Sequence, residues 1–398
     1  MTPFVSSSHS ISNEMRSVRD IPRIENIPIL VRTAMNVPIE NGKVVNDYRL
    51  RRGLETIRFL SLHHAKVILI SHIGEKGTET LAPVAAALGK LIPRVSFFPE
   101  TIGARARAAV RALLPGDILV LENLRRDRGE QANDPAFAQE LAALADVFVE
   151  DSFDTCHRVH ASIVGVPKIL PSYAGLLLEE EIRELSAALA PKKPSLAVIG
   201  GAKFSTKESV LTKLLQTYDH VFVGGALAND FLKAAGHDVG KSRVSDGEDA
   251  NIQNILRNKK LVLPIDVIVI PLSARGLPNE RSHARIRDVR EVHPDEIILD
   301  HGPGTQALLT ALAKNSKTIL WNGPLGNYEN GFTDATDDFA RVVAARGAHS
   351  IIGGGDTIAS IENLGLLSHF SFVSTGGGAM LDFLAKGTLP GIAVLDNQ

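Results

Sequence analysis

The sequence predicts an α/β fold in which two doubly wound parallel sheets are joined by a hinge helix. Short, continuously apolar runs alternate with helix-like segments, a rhythm typical of parallel strands that are covered on both faces. The rhythm occurs as two series within 398 residues, a length at which a single hydrophobic core has stopped growing. Between the series, an amphipathic segment from Leu178 to Leu189 is followed by Pro191 and Pro194, which predict the end of a connecting helix.

The strands and helices of each series can be read directly from the apolar runs. In the first series the predicted strands are IPILVR, KVILISH, VSFF, DILVLENL and DVFVEDSF, separated by helical stretches that include Arg49 to His63, LAPVAAALGKLI and PAFAQELAALA. In the second series the predicted strands are SLAVIGGA, HVFVGGALA, LVLPIDVIVI, TILWNGP, SIIGGGD and FSFVSTGGGA. Strands that alternate with helices in this way predict two Rossmann-like lobes.

The boundaries of these segments predict the domain organisation. Residues 1–27 carry mixed charge without an apolar centre, so we expect a frayed extension rather than a secretory signal. The first domain is expected over residues 28–177, the interdomain helix over 178–190 and the second domain over 191–388.

The composition excludes several classes of partner. The chain has 43 basic and 45 acidic residues, which argues against nucleic acid or an anionic membrane as the main partner. Cys156 is the single cysteine, so no internal disulfide framework is possible and a reducing compartment is expected. The sequence has no apolar run of about 18 residues, the length that a membrane-spanning helix needs. These features predict a cytoplasmic protein.

In the second half, the predicted strands run into glycine clusters. The clusters are Gly200-Gly201, Gly224-Gly225, Gly353-Gly354-Gly355 and Gly376-Gly377-Gly378. Glycine lets backbone N–H groups approach a phosphate, and a following helix directs its positive end at the anion. Lys203 and Lys207 follow the first cluster as candidate point charges, and Asp356 can offer Mg²⁺ a hard oxygen ligand. The pattern predicts a nucleotide site, although neither the Walker pattern nor G-x-G-x-x-G after the first strand is present.

In the first half, the predicted strands run into arginine, histidine and asparagine. These residues are Arg32, Asn36, Arg49, His72, Arg125, His157 and Arg158. Arginine suits bidentate capture of a carboxylate or phosphate, so the set predicts a basic pocket for a small anion.

We find no pairing of a nucleophile with a base. A carboxylate acceptor needs no general base, because its pKa of about 4 leaves it ionised at neutral pH. Phosphoryl transfer to such an acceptor requires positioning and charge neutralisation.

These motifs together resemble those of the phosphoglycerate kinase family over residues ~28 to 398, nearly the whole chain. The matching stretches are NVP, VLENLR, HRVHAS, GGAKFSTK, WNGPLGNYE, GGGDT, VSTGGGA and LPGIAVL. The resemblance implies a two-lobed, usually monomeric enzyme that moves a phosphoryl group between MgATP and the carboxylate of 3-phosphoglycerate, giving 1,3-bisphosphoglycerate. In glycolysis the family works in the ATP-forming direction. The resemblance also implies that the first lobe binds the acid and the second binds nucleotide. Hinge closure is expected to bring the two lobes together, and residues 389–398 are expected to pack back on the first lobe.

The resemblance also implies roles for individual residues. The implied catalytic residues are Arg49, Lys203, Gly354 and Gly377, and the implied acid-binding residues are Arg32, Asn36, His72, Arg125, His157 and Arg158. The implied ligands of ATP or ADP are Gly201, Lys203, Lys207, Gly224, Gly225, Asn322, Pro324, Glu329, Gly353, Gly354, Gly355, Asp356 and Thr357, with Asp356 serving Mg²⁺.

Three positions of the acid-binding lobe depart from the family pattern. Ala34 stands where the family has an aspartate that touches the glycerate hydroxyl, and Glu75 stands where it has an arginine for the 3-phosphate. Asp154 replaces a glycine. A relocated anion site would use nearby cations, namely Lys76, Arg126 and Arg128.

Because of these departures, alternatives to 3-phosphoglycerate kinase activity stay open. The first is the same chemistry on a different small anionic acid, and the second is a nucleotide-binding homologue with reduced catalysis. A Rossmann oxidoreductase is a third class, which would require the dinucleotide fingerprint that the sequence lacks.

Overall fold

The computed structural model describes residues 15–245 and 249–396. The chain divides into two compact units. The first contains the described residues up to Arg183 together with those from Thr388 onward, and the second is Glu184–Gly387.

The first unit is built on a six-stranded parallel sheet. Its strands are β1 (Pro28–Thr33), β4 (Lys66–Ile70), β5 (Val95–Phe98), β6 (Ile118–Leu121), β7 (Val147–Asp151) and β8 (Ser172–Ala174), and a hairpin of β2 (Ile39–Glu40) and β3 (Lys43–Val44) follows β1. The strand order is β5-β6-β4-β1-β7-β8. Alternate residues of β1 enter two different cores: Ile29 and Val31 join one cluster, and Leu30 joins the other. Both faces of the sheet are therefore covered, which explains why its strands are continuously apolar.

Helices cover this sheet and connect its strands. They are α1 (Tyr48–Leu62), α2 (Ala82–Leu91), α3 (Gly103–Arg111), α4 (Arg128–Ala132), α5 (Pro135–Ala142) and the start of α6 (Leu176–Leu189). Asp151, at the end of β7, caps α6 by accepting hydrogen bonds from the backbone N–H groups of Leu177 (3.0 Å) and Leu178 (3.2 Å). Burial raises the pKa of Asp151 to about 8.

Both ends of the described chain contribute to the first unit. Val18 is fully buried in its core, and Ser17 caps the short 3₁₀ turn Val18–Asp20. The expectation of a frayed extension is therefore wrong for this segment, because Val18 and Ile21 bury apolar side chains. Residues 1–14 of that extension lie outside the described residues. Near the other end, α14 (Pro390–Asp396) lies against residues 156–163, with the N–H of Gly391 donating to the carbonyl of Cys156 at 2.9 Å.

The second unit contains another six-stranded parallel sheet and a smaller antiparallel sheet. The parallel sheet has the order β11-β10-β9-β15-β16-β17, formed by β9 (Ser195–Ile199), β10 (His220–Val223), β11 (Leu261–Val262), β15 (Thr318–Asn322), β16 (His349–Gly353) and β17 (Phe372–Val373). The antiparallel sheet has the order β13-β12-β14, formed by β12 (Asp266–Pro271), β13 (Arg285–Asp288) and β14 (Glu296–His301). The run LVLPIDVIVI, predicted as one parallel strand, is thus two strands in two sheets.

Seven helices complete the second unit in the described part of the chain, in addition to the end of α6. They are α7 (Glu208–Thr217), α8 (Ala226–Ala234), α9 (Asp249–Leu256), α10 (Pro303–Asn315), α11 (Asp334–Ala344), α12 (Gly355–Asn363) and α13 (Gly378–Lys386). Trp321 anchors the core: its ring meets Phe339 edge-on at 4.9 Å, and its Nε1 donates to the carbonyl of Gly323 at 2.9 Å.

No single helix among residues 15–245 and 249–396 is long and apolar enough to cross a membrane. The two short helices α13 and α14 reach the necessary length and composition only when they are counted together, as a bent pair.

Candidate active site

The carboxyl ends of four neighbouring strands gather the predicted anion-binding residues of the first unit. Arg32 is the next-to-last residue of β1, His72 follows β4, Arg125 follows β6 and His157 follows β7. These strands are adjacent in the order β6-β4-β1-β7, so the side chains that follow them converge at one sheet edge. We refer to this group, completed by Arg49 and Asn36, as the basic pocket.

Arg32 forms the buried floor of the basic pocket. Its Nε donates to the Ser162 hydroxyl (3.2 Å) and its Nη1 to the Thr33 carbonyl (3.0 Å) and the Ser71 hydroxyl (3.2 Å). The Ser162 hydroxyl in turn donates to the buried Glu130 carboxylate at 2.6 Å. Most of the donors of Arg32 thus serve the protein itself, and its role as a direct ligand of the acid stays a prediction.

His72 is held neutral, in one tautomer. The Nη2 of Arg32 lies 3.0 Å from the Nδ1 of His72. Because arginine can only donate, this Nδ1 accepts, and the proton of the neutral ring is on Nε2. Burial lowers the pKa of His72 to about 2, helped by the positive charges of Arg32, Arg125 and Arg49. His72 is therefore a neutral N–H donor at any physiological pH.

Arg125 is a buried guanidinium that is only partly satisfied. Its side chain is 1 % exposed. Nη1 donates to the carbonyl of Gly74 and to Oε2 of Glu75 at 3.1 Å. Nε and Nη2 are buried and have no hydrogen-bond partner within the described residues. Since an unsatisfied buried donor is costly, these two nitrogens are candidates to bind an anion.

Arg49 lies at the start of α1 and is half-exposed. Its Nη1 donates to the carbonyl of Asn36 at 2.8 Å and lies 3.8 Å from Oδ2 of Asp154. The Oδ1 of Asn36 accepts from the N–H of Gly74 at 3.1 Å. Asp154, one of the departures from the family pattern, thus partly neutralises Arg49.

Three further side chains follow β7. His157 and Arg158 are half-buried, and Nδ1 of His157 has no hydrogen-bond partner in the part of the chain that the structure describes. His160 was not predicted as a site residue. Burial and the charges of Arg125 and Arg32 lower its pKa to about 4, so it belongs to the same electrostatic environment. The spacing of HRVH, which puts a second histidine three residues after the first, was the available signal.

The cations that could relocate the anion site differ in their surroundings. All three are exposed, and Arg126 also pairs with Glu122 at 3.1 Å. Ala34 is buried and provides no polar group. The buried, partly unsatisfied Arg125 is therefore a stronger candidate for the anion site than any of the three.

In the second unit, loops after neighbouring strands pack backbone against backbone. Gly225 has a φ of +64°, and a Cβ there would lie 2.9 Å from backbone atoms of Gly201 and Pro324. Only glycine fits such an approach. Gly224, Gly353, Gly354 and Gly377 lie in the same set of strand-end loops, and helices α8, α12 and α13 begin at or next to them. These helix N-termini are suited to phosphate binding.

Lys207 is a partly buried ammonium group at the N-cap of α7. Its Nζ donates to Oδ1 of the buried Asn322 at 3.0 Å. Burial lowers the pKa of Lys207 to about 8. A lowered pKa is expected for a lysine in a phosphate site that holds no ligand, because a bound phosphate would stabilise the charged form. Lys203 is exposed in the loop before α7.

The lowered pKa of Lys207 predicts how nucleotide affinity depends on pH. In the free protein Lys207 loses its proton near pH 8, and a bound polyphosphate raises that pKa. Binding is therefore strongest below pH 8, takes up a proton near pH 8 and weakens at higher pH. We expect the Kd for ADP to rise by up to about tenfold per pH unit above 8. Calorimetry in buffers of different ionisation enthalpy measures both effects, and a Kd that is constant from pH 7 to 9.5 would contradict this assignment.

Asp356, near the start of α12, is an exposed acid that interacts electrostatically with the exposed Glu329. Partial burial and the negative charge of Glu329 raise the pKa of Asp356. Neighbouring carboxylates with hard oxygens suit Mg²⁺. Within residues 15–245 and 249–396 no cluster of three or more histidine, cysteine, aspartate or glutamate residues is arranged to hold a metal. Thr357, next to Asp356, has a buried hydroxyl without a hydrogen-bond partner in those same ranges.

A cavity of about 550 Å³ opens beside these loops in the second unit. Of the predicted nucleotide ligands, Gly201, Gly225, Pro324, Glu329 and Asp356 line it, whereas Lys203, Lys207, Gly224, Asn322, Gly353, Gly354, Gly355 and Thr357 do not. The volume is typical of a small-molecule site.

Part of the cavity wall was missed by sequence reasoning. Leu232 of α8 and residues 297–299 of β14 supply an apolar wall, and Asp300 and His301 follow on β14. Burial raises the pKa of Asp300 to about 7. An apolar surface next to phosphate-binding loops suits the base of a nucleotide. The stretch IILDHGP, a strand that runs into a proline-initiated helix, was the signal that could have found it.

Comparison with known proteins agrees with this geometry. The family model described as phosphoglycerate kinase matches residues 18–387. A curated phosphoglycerate kinase of Moorella thermoacetica is 41 % identical over 388 residues, covering 94 % of this chain and 98 % of the relative. That of Desulforudis audaxviator is 42 % identical over 396 residues, covering 96 % and 99 %.

Solved structures show the same likeness. The structure of phosphoglycerate kinase from Coxiella burnetii has a TM-score of 0.82 and 38 % identity, covering 96 % of this chain and 99 % of that one. The enzyme from Pyrococcus horikoshii has a TM-score of 0.85 and 28 % identity, covering 96 % and 98 %. Because the family model and these relatives match nearly the whole length of the chain, this chain belongs to the phosphoglycerate kinase family.

Proposed function

We propose that this chain transfers a phosphoryl group reversibly between MgATP and the carboxylate of 3-phosphoglycerate, giving ADP and the acyl phosphate 1,3-bisphosphoglycerate. The observation that carries the proposal is the basic pocket, in a chain that belongs to a family of phosphotransferases acting on a carboxyl group. The pocket offers a buried guanidinium with two unpartnered nitrogens in its described surroundings, the neutral donor His72 and the half-exposed Arg49.

The absence of a paired nucleophile and base supports this reaction class. The acceptor carboxylate is already ionised at neutral pH, so its oxygen attacks the γ-phosphorus without losing a proton. The new bond joins that oxygen to phosphorus, the bond from phosphorus to the β,γ-bridging oxygen breaks, and ADP leaves with the electron pair. The task left to the protein is to position the reactants and neutralise their charge.

We assign the roles within each unit accordingly. Arg125 and His72 bind the acid, together with Asn36, His157 and Arg158, while Arg49 neutralises charge on the transferring group. In the second unit Lys203, Lys207 and the helix N-termini at Gly354 and Gly377 bind the phosphates, and Glu329 contacts the ribose. The cavity beside β14 holds the base. Arg32 supports the pocket through its bond to His72.

Asp356 is the residue that would hold Mg²⁺. The raised pKa caused in part by Glu329 is consistent with a cation at this position, because a cation relieves the repulsion between the two carboxylates. The ion neutralises phosphate charge when it is bound. Few protein ligands are needed, since Mg²⁺ keeps several waters and takes other oxygens from the nucleotide phosphates. We further expect a monomer in the cytoplasm.

A coupled assay tests the proposal. Purified protein with ATP, Mg²⁺ and 3-phosphoglycerate is expected to produce 1,3-bisphosphoglycerate, followed by NADH consumption through an excess of the dehydrogenase that reduces it. Turnover of 3-phosphoglycerate far below that of another small anionic acid would support the altered-acceptor alternative. Nucleotide binding without transfer to any tested acid would support a homologue with reduced catalysis.

A further inference from the structure

Glu75 occupies a tight turn that packs directly on Arg125. The turn lies between Gly74 and Gly77, which have φ angles of +65° and +73°. A Cβ on Gly77 would lie 2.2 Å from the carbonyl oxygen of Arg125, so only glycine permits this approach. The other end of the turn contacts the same residue, because the carbonyl of Gly74 accepts from Nη1 of Arg125.

The two members of the ion pair differ in their surroundings. Oε2 of Glu75 lies 3.1 Å from Nη1 of Arg125, and the side chain of Glu75 is 77 % exposed while that of Arg125 is 1 % exposed. The carboxylate can therefore return to water at little cost. The guanidinium cannot, and its Nε and Nη2 still have no hydrogen-bond partner among the described residues.

We propose that Glu75 is a specificity-determining residue that competes, from within the chain, with the distal anionic group of the acceptor acid for Arg125. The inference rests on the proposed function, since it concerns the same acid-binding pocket. When the acid binds, its anion takes the guanidinium and the Glu75 carboxylate moves into solvent. The protein thereby gives up part of its affinity for the acid.

The physical reason is charge. Arg125 is the one buried cation of the pocket with two unpartnered nitrogens in the described structure, and an anion bound there would lie beside the Glu75 carboxylate. Like charges at that range repel each other. Removing the carboxylate therefore strengthens binding of the acid, whereas the transfer step, which involves Arg49 and the nucleotide, is unaffected. Removing the carboxylate should therefore change KM rather than kcat.

A positioning role for Glu75 makes the opposite prediction. If its carboxylate mainly holds the guanidinium in place, its removal would let Arg125 move, and affinity for the acid would fall. The direction of the change in affinity therefore separates the two roles.

The test compares Glu75→Ala, Glu75→Gln and the matched control Glu79→Ala. Glu79 is an exposed acid of the same segment, and its Oε2 accepts from the Thr78 hydroxyl at 3.1 Å. We expect Glu75→Ala to lower both the KM and the calorimetric Kd for 3-phosphoglycerate about threefold to fivefold, with kcat changed by less than about twofold. Glu75→Gln, which keeps a neutral acceptor, should lie between this variant and the parent, and Glu79→Ala should resemble the parent.

Each result has a defined meaning. Unchanged or weaker acid affinity in Glu75→Ala would overturn the inference, as would an equal gain in Glu79→Ala, which would reduce the effect to net charge. Calorimetry needs no turnover, so it separates the two proposals. Absence of turnover in the parent and all variants would overturn the proposed function, yet a tighter Kd in Glu75→Ala would still support competition for Arg125.

Discussion

Replacing Arg49 with alanine is expected to lower kcat by about 10³-fold, the smaller of the effects known for arginines that neutralise charge in phosphoryl transfer. Arg49 suits this role because its side chain remains 32 % exposed, with one hydrogen bond to the Asn36 carbonyl and a loose contact to Asp154. Charge develops on the transferring group only as the bond to ADP breaks. The variant should therefore lose kcat with little change in the KM for either substrate.

Two controls make this prediction specific. Arg51→Ala removes a cation from the same helix, but Arg51 is 61 % exposed and pairs with Asp47 at 2.8 Å, so its loss should leave kcat within about twofold. Arg49→Lys should recover only part of the rate, because an ammonium group lacks the planar fork of guanidinium. A kcat for Arg49→Ala within tenfold of the parent would show that Arg49 is not a catalytic residue.

The second large effect is expected at Lys207. Replacement by methionine keeps an unbranched side chain of similar length but removes the charge that would meet the nucleotide phosphates. Truncating one member of a buried charge pair costs about 2–5 kcal/mol, so the Kd for ADP should rise by about 10²-fold at pH 7. Fluorescence or calorimetric titration with ADP measures this change.

The stability of the same variant gives an independent check. In the free protein, burial lowers the pKa of Lys207 to about 8, which means that burial disfavours its charged form. Methionine removes that cost but also leaves Oδ1 of the buried Asn322 without its donor. Because these two effects oppose each other, the free energy of unfolding at pH 7 should change little while affinity falls. Lys213→Met, on the same helix α7, should retain parental affinity. A loss of stability that accompanies the loss of affinity would indicate a structural role for Lys207 instead.

The alternation of strands and helices was readable because parallel sheets impose it. Continuous runs such as IPILVR and TILWN became β1 and β15, whose residues are buried on both faces. The polar residues that directly follow predicted strands also indicated much of the site, because residues that follow adjacent parallel strands lie at the same edge of the sheet. Hence Arg125 and His72, 53 positions apart, could be grouped from the sequence alone.

The antiparallel sheet β13-β12-β14 was not readable in the same way. An apolar run specifies a strand but not its partners, and LVLPIDVIVI is divided between two sheets. For that reason the apolar wall of the cavity, which residues 297–299 contribute, was missed. The burial of Val18 was missed because a two-residue apolar pattern in a charged segment carries no periodicity.

The sequence by itself determined the α/β class, the family and the chemical types of residue at each strand end, because strand periodicity, glycine clusters and arginines are properties of short stretches. Only the tertiary structure decided which charges are satisfied. The pairing of Glu75 with Arg125, the neutrality of His72 and the lowered pKa of Lys207 depend on burial and on partners far away in the chain. Desolvation acts through the packing of the whole unit, and no local pattern of residues encodes it.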